Sequence, residues 1–179
     1  MSKLLRIFIV VSLLSFSFTF ALSSATAAPG LTFSVNSTGD DTDVNPGDGV
    51  CEANIGIGDC TLRAAIEEAN ANGNTADTDV INFALTGPAS YTVGGQNGYT
   101  ITPATPLPTI TSPLAFRGLT QSGSDCAFTT RKILVEINLA NIGNITGPNF
   151  VAGTNDSVVE GLSIINGLNT GLQVDTSNN

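Results

Sequence analysis

One acidic stretch carries oxygen ligands at a spacing that suits a hard cation. Asp41, Asp43 and Asn45 stand at positions 1, 3 and 5 of this stretch, and Glu52 stands at position 12. Calcium prefers carboxylate and carbonyl oxygens in a wrapped loop. Pro46 occupies position 6, where such a loop normally has glycine, so a solvated acidic turn is the alternative. The spacing predicts calcium as the one cofactor, with Asp41, Asp43, Asn45 and Glu52 as ligands.

Two of the three cysteines lie near the C-terminal end of the same acidic region. Cys51 and Cys60 are nine positions apart, and a local disulfide between them is the favoured interpretation in an exported chain. Metal binding by this pair is disfavoured, because the chain has no histidine and no supporting ligands nearby. Cys126 is left without a partner. It is either buried and inert, or paired with a cysteine beyond Asn179.

Composition excludes several classes of function. The absence of histidine removes Ser–His–Asp, Cys–His and HExxH chemistry. A net charge of −9 disfavours nucleic acid as a partner, since phosphate binding requires clustered cations. The acidic and basic side chains of the predicted coil region form no close catalytic motif, so polysaccharide cleavage by this segment is not favoured. These side chains are Arg117, Asp125, Arg131, Lys132, Glu136, Asp156, Glu160 and Asp175.

Residues 1–27 have the features of a secretory signal peptide. Lys3 and Arg6 precede an apolar run over 7–22, and residues 25–27 read Ala-Thr-Ala, a site that signal peptidase accepts after Ala27. The alternative is an uncleaved membrane anchor, for which the apolar run is short. No later segment approaches ~20 apolar residues, so no transmembrane segment is expected in the mature chain. We therefore predict a secreted or cell-surface protein.

The elements that would position these groups are short strands and one helix. Leu62, Ala65, Ile66 and Ala69 form an apolar stripe that predicts an amphipathic helix over 61–72. In that helix Arg63 can pair with a glutamate one turn later, or bond loop carboxylates and open carbonyls. Apolar runs between turn residues predict strands at 31–35, 80–85, 99–102, 107–110, 114–117, 133–137, 150–152, 158–164 and 171–174. The acidic loop, residues 36–59, has no apolar periodicity.

The later strands recur at a rough period of 25 residues, from Ile133 to Val158. A period of ~20–30 residues with strand and turn content suggests a solenoid. A β-sandwich of the same strands is the alternative. Asparagines at the turns favour the solenoid, because they can form side-chain ladders; they are Asn138, Asn141, Asn144, Asn166 and Asn169.

Three stretches of the chain resemble a known family. The segment over 35–71, which includes Cys60-Thr61-Leu62-Arg63-Ala64-Ala65, is similar to the N-terminal region of bacterial secreted proteins with a Cys-Ser-Leu-Arg-Glu-Ala signature. Thr61 replaces serine and Ala64 replaces glutamate in that signature. Residues 77–85 and 99–118 resemble the coils that usually follow, and 161–174 resembles a later coil of a right-handed parallel β-helix.

The resemblance implies an all-β, pectate-lyase-like fold in which a capping strand and amphipathic helix precede a right-handed parallel β-helix. The predicted organisation is a signal peptide (1–27), a cap region with strand, acidic disulfide loop and helix (28–79), and first coils (80–179). A solenoid end needs a cap, so we expect the chain to be the N-terminal part of a longer protein. The alternative is a short protein that closes by oligomerising.

The resemblance implies a compartment more than a reaction. We predict a non-enzymatic secreted or cell-surface module for adhesion, display or structure. Its expected partners are an extracellular polysaccharide or a host or cell-surface ligand, together with a C-terminal continuation of the β-helix. The alternative is the N-terminal part of a polysaccharide-acting lyase or hydrolase whose active site lies beyond this segment.

Overall fold

A computed structural model of the chain describes residues 29–73, 77–143 and 147–175. The predicted signal peptide and its cleavage point lie outside these ranges. The elements in chain order are β1 (Thr32–Val35), α1 (Leu62–Ala71), β2 (Asp79–Phe83), β3 (Tyr91–Val93), β4 (Gln96–Ile101), β5 (Leu114–Arg117), a 3-10 turn (Gly118–Thr120), β6 (Val135–Asn138), β7 (Asn149–Phe150), β8 (Val158–Glu160), β9 (Leu162–Ile165) and β10 (Gln173–Val174).

The strands form three sheets. The first has the order β1-β2-β5-β8, with every pair parallel. The second has the order β3-β4-β6-β9; β3 and β4 are antiparallel, and the other pairs are parallel. The third pairs β7 with β10 in parallel, and Ile110 adds a single parallel bridge to Phe150. Strand β1 of the predicted cap region therefore pairs directly with β2 at the start of the predicted coil region.

One hydrophobic core joins the three sheets and the helix. The apolar stripe of α1 is buried completely or almost so at Leu62, Ala65, Ile66 and Ala69. The same cluster contains aromatic side chains from β1, β2, β5 and β7, which are Phe33, Phe83, Phe116 and Phe150. The rings of Phe116 and Phe150 meet edge to face, with centroids 5.9 Å apart. The first and third sheets thus pack against each other through their aromatic residues.

Local signals at both ends of α1 agree with the predicted bounds. The Thr61 hydroxyl accepts a hydrogen bond from the Ala64 amide at 3.0 Å, which satisfies one of the unpaired donors of the first turn. After Asn72 the chain reaches Gly73, whose φ of 61° lies in the left-handed region that ends many helices.

The predicted all-β, right-handed parallel β-helix is wrong. The chain is a mixed α/β protein with parallel and mixed sheets. Helix α1, which was predicted to cap the hydrophobic end of the coils, contributes its apolar stripe to the one core that joins the sheets. The turn residues at 94–98 were expected only to separate two predicted strands. Instead, Gly94 and Gly95 have φ values of 55° and 77° and form the two-residue turn of an antiparallel hairpin.

Two other predicted strands differ from the structure. The run predicted at 158–164 is divided at Gly161, whose φ is 67°, so β8 joins the first sheet and β9 the second. A Cβ on Gly161 would lie 2.5 Å from the Leu119 amide nitrogen, so only glycine fits there. The run predicted at 107–110 contributes only the Ile110 bridge. Pro108 lacks the amide that a strand ladder requires.

Strands β8, β9 and β10 are each at the edge of a sheet and pair with one neighbour within the described residues. A cavity of about 370 Å³ lies next to β8 and β10, and its walls include Phe150, Val159 and Leu172. Val174 of β10 is 57 % exposed. Within the described ranges, no helix has the length and apolar character needed to cross a bilayer.

Candidate functional site

The predicted disulfide is confirmed. Cys51 and Cys60 are bonded, with their Cα atoms 5.2 Å apart. Cys60 is buried and lies immediately before Thr61, the N-cap of α1. The bond therefore joins the acidic loop to the start of the helix. Cys126 is exposed and forms no disulfide within the described chain, so it is not the buried, inert residue that was one of the two expectations.

Asp43, one of the predicted calcium ligands, is buried and organises the acidic loop. Its Oδ1 accepts a hydrogen bond from the Asn45 amide at 2.8 Å, and its Oδ2 accepts one from the Glu52 amide at 3.1 Å. Its own amide donates to Glu67 Oε2 of α1 at 2.8 Å. Both carboxylate oxygens are thus used to hold the main chain, and the residue links the loop to the helix.

The other three predicted ligands lie in the same loop and have separate surroundings. Asp41 has an exposed side chain, and its carbonyl accepts a hydrogen bond from the Thr61 hydroxyl at 2.6 Å. Asn45 Nδ2 donates to Asp48 Oδ2 at 3.0 Å, and Glu52 Oε2 accepts from the Gly56 amide at 3.0 Å. Among the described residues, no group of three or more His, Cys, Asp or Glu side chains is arranged to hold a metal ion. The calcium site stays a prediction.

Sequence reasoning missed the most buried carboxylate near the loop. Glu68 of α1 is completely buried, and its two oxygens accept hydrogen bonds from the amides of Gly47 and Gly49. Both glycines have positive φ values, 100° and 85°, which let successive amides turn toward one carboxylate. Glu68 lies off the apolar stripe of α1, so the sequence pattern indicated an exposed side chain.

Arg63 binds a carboxylate of the acidic loop and main-chain carbonyls, which is the second of its two predicted roles. Nη2 lies 3.0 Å from both Asp40 carboxylate oxygens, and Nε lies 3.0 Å from Oδ1. Nη1 donates to the Pro106 carbonyl and Nη2 to the Thr105 carbonyl, each at 2.9 Å. The guanidinium is therefore occupied by structural contacts, and its other predicted partner, the glutamate one turn along, binds the Asp43 amide instead.

A second region of the surface has groups that are free to meet a ligand. A cleft of about 540 Å³ lies between the hairpin turn at Val93 and Gly94 and the loop over 128–132. We call it the Phe128 cleft, with Phe128, Thr129, Thr130, Arg131 and Lys132 forming the second wall. The side chain of Phe128 is 93 % exposed, the highest value among the large apolar residues of the described chain.

The loop that carries Phe128 is fastened at its base. The main chains of Asp125 and Lys132 form two antiparallel hydrogen bonds, of 3.0 and 2.7 Å. The Asp125 carboxylate accepts a hydrogen bond from the Thr130 hydroxyl and another from the Ala127 amide. The Thr130 contact, followed by that from Ala127, lowers the pKa of Asp125 below its ordinary value. The loop is therefore a closed turn with Phe128 near its tip.

Arg131 and Lys132 are the cations available for binding in the described part of the chain. Ion pairs form there between Arg63 and Asp40 and between Arg117 and Glu160, the latter at 3.0 Å. Neither Arg131 nor Lys132 forms an ion pair with a described residue, although the Lys132 charge does act on Asp125. The sequence has no local motif for these two cations, because the first wall of their cleft comes from Val93 and Gly94, about 40 positions earlier.

The chain was also compared with known proteins. No protein-family model matches it, and the searches of curated proteins and of solved structures found no match.

Proposed function

We propose that the chain is a secreted or cell-surface module with a non-enzymatic role in adhesion, display or structure. The observation that supports the location is the Cys51–Cys60 disulfide. Such bonds persist in oxidising compartments outside the cytosol. The N-terminal residues 1–27 support it independently, because they have the charge pattern and small-residue site of a signal peptide.

The surroundings of the acidic residues support the non-enzymatic role. Catalytic carboxylates must keep oxygens free for a substrate or a proton. Asp43 and Glu68 instead accept hydrogen bonds from main-chain amides through both oxygens, and Asp40 is bound by Arg63. Asp40, Asp43 and Glu68 therefore hold the acidic loop in place, whereas Arg131 and Lys132 of the Phe128 cleft form no ion pair with a described residue.

As part of this proposal, residues 60–65 belong to the signature region of the secreted proteins that they resemble. Two signature residues have structural tasks in support of this. Thr61 caps α1, and a serine hydroxyl could accept the same hydrogen bond. Arg63 joins α1 to two other segments of chain, through Asp40 and through the adjacent residues Thr105 and Pro106.

The test is to express the full chain in a bacterial host and to follow its location. We expect cleavage after Ala27, export, and an oxidised Cys51–Cys60 pair by thiol titration. A variant that lacks residues 2–27 is the control and should remain reduced in the cytoplasm. The exported protein should also leave the viscosity of polysaccharide solutions unchanged. Retention of the uncleaved chain in the cytoplasm, or polymer cleavage by the exported chain, would contradict the proposal.

A further inference from the structure

We propose that the Phe128 cleft binds a carboxylate-bearing polysaccharide, with Arg131 and Lys132 holding the acid groups and Phe128 packing against a sugar ring. The proposal rests on the extracellular location proposed above and names the ligand class for the binding role. It concerns residues that lie outside the acidic loop and the disulfide.

The shape of the Phe128 cleft suits a ligand site. A ligand site is usually concave, with apolar walls and a few polar groups that fix orientation. The Phe128 cleft has this arrangement, with Val93 and the aromatic ring as apolar walls and Thr129, Arg131 and Lys132 as polar groups. A single exposed apolar side chain is common on protein surfaces and indicates nothing alone. The informative feature is the position of Phe128 in a cleft beside Arg131 and Lys132, which form no ion pair with a described residue.

The chemistry of the two cations favours a carboxylate. A guanidinium can donate two parallel hydrogen bonds to one carboxylate, whereas an ammonium acts as a compact point charge. Arg131 and Lys132 are adjacent in sequence and both line the cleft. A polymer of acidic sugars presents acid groups at each ring, with C–H faces between them that can lie on an aromatic ring. Neutral sugars would leave both cations without a partner.

The fastening of the loop favours binding by a prepared surface. The Asp125–Lys132 bridge and the hydrogen bonds to the Asp125 carboxylate hold the turn before any ligand arrives. A preformed turn loses less conformational entropy when it binds. Asp125 is the acid beside Lys132, and its carboxylate is already engaged by Thr130 and Ala127.

The small number of cations in the cleft decides against an anionic membrane surface. Lipid surfaces attract clusters of about 4–8 cations acting together, whereas the cleft has Arg131 and Lys132. One phenylalanine also offers little apolar area for insertion. The net charge of −9 opposes any anionic ligand at long range, but charges farther than a Debye length of about 8 Å are screened at physiological salt.

The experiment measures binding of the chain without its leader, residues 28–179, to polygalacturonate by titration calorimetry. Dextran is the neutral control polymer, and vesicles of phosphatidylglycerol are the membrane control. We expect binding to polygalacturonate that weakens as sodium chloride is raised, and no binding to dextran or vesicles. Arg131→Ala should weaken binding about tenfold, and Phe128→Ala about fivefold.

Two matched variants separate a specific site from general charge. Arg117→Gln removes one positive charge elsewhere, and Leu168→Ala truncates another exposed apolar residue, which is 73 % exposed. Both variants should bind polygalacturonate with a dissociation constant within about twofold of that of the parent chain. Unchanged circular dichroism and melting temperature in every variant would show that folding is intact, as the exposure of Phe128 predicts.

Several results would overturn the proposal: no binding to polygalacturonate, equal losses in Arg117→Gln and Arg131→Ala, or binding to the vesicles. These results would leave the export experiment untouched, since export and disulfide formation do not depend on the cleft. Conversely, a chain that stays in the cytoplasm but binds polygalacturonate through Arg131 would refute the proposed location and keep the ligand class.

Discussion

Arg63 and Asp40 form a buried ion pair with 3.0 Å between Nη2 and Oδ1, and their side chains are only 8 % and 17 % exposed. The same guanidinium binds the carbonyls of Thr105 and Pro106. One side chain therefore connects the acidic loop, helix α1 and the segment after β4. Removing one partner from a buried pair leaves an uncompensated charge, which is far more damaging than the loss of an exposed pair.

We expect Arg63→Ala to lower the free energy of unfolding by about 3–5 kcal/mol. Urea denaturation followed by circular dichroism measures the change. Arg117→Ala is the matched control, because Arg117 and Glu160 are each more than a third exposed, and it should lower the value by less than about 1 kcal/mol. Equal effects of the two variants would show that the Arg63 contacts do not hold the loop.

The two adjacent glutamates of α1 provide a second comparison. Glu68→Ala removes a completely buried side chain and its two charge-assisted hydrogen bonds to the amides of Gly47 and Gly49, so we expect a loss of about 3 kcal/mol. Glu67→Ala removes one acceptor, for the Asp43 amide, and should cause a loss of about 1 kcal/mol. Urea denaturation of both variants shows which substitution lowers the free energy of unfolding more. A larger loss for Glu67→Ala would contradict the assigned roles.

The calcium prediction can be tested by thermal melting with millimolar calcium and with a chelator. The predicted ligands require a higher melting temperature with calcium than with the chelator; saturation a hundredfold above the dissociation constant is worth about 2.7 kcal/mol. Asp43→Ala should lower the melting temperature in both buffers, because its two oxygens hold the amides of Asn45 and Glu52, and it should abolish the difference between the buffers. Equal melting temperatures of the parent chain in the two buffers would contradict the calcium site.

The disulfide should contribute about 2–3 kcal/mol, the value that the chain-entropy model assigns to a short closed loop. The double variant Cys51→Ser and Cys60→Ser should lose this amount in urea denaturation. Cys126→Ser is the control, and we expect no change, because Cys126 is exposed and free. If the double variant is as stable as the parent chain, the loop is held by Asp43 and Glu68 alone.

Alkaline pH should destabilise the fold through Tyr91. Burial raises the pKa of Tyr91 above its ordinary value of 10.0, and the Glu136 carboxylate adds to the rise. The unfolded chain therefore releases this proton first, so the stability is complete below about pH 10 and is lost as pH rises through the folded pKa. Tyr91→Phe should flatten the loss between about pH 9 and 11 in urea denaturation. Parallel pH curves for the two proteins would contradict the assignment.

Some elements could be predicted because their signals are local. The spacing of Leu62, Ala65, Ile66 and Ala69 fixes one face of a helix, and the observed α1 differs from the prediction by one residue at each end. Alternation in 31–35 likewise indicated β1. Asn166 donates to the Asn138 side chain at 2.9 Å, so one contact between predicted turn asparagines is present.

Other features depend on contacts between distant segments and have no local signal. The burial of Glu68 follows from amides 19 and 21 positions away. The break at Gly161 follows from the close approach of Leu119, and a sequence does not indicate which glycine has a positive φ. The same holds for the Phe128 cleft, whose two walls come together through long-range contacts such as the pairing of β4 with β6. The error in fold class arose from the pairing of the strands and from strands that were missed or divided: β3 was not predicted, and the run at 158–164 forms β8 and β9 in two different sheets.

The loop between Cys51 and Cys60 also affects how the protein would respond to proteolysis. Its tip carries Ile55 and Ile57, which are 78 % and 73 % exposed, and a Cβ on Gly56 would touch no other atom. Exposed loop tips are preferred sites for proteases and tolerate inserted peptides. Because the disulfide closes the loop at its base, a chain cut at this tip stays covalently joined until it is reduced. A foreign epitope inserted at the same tip would be held on the surface by both ends.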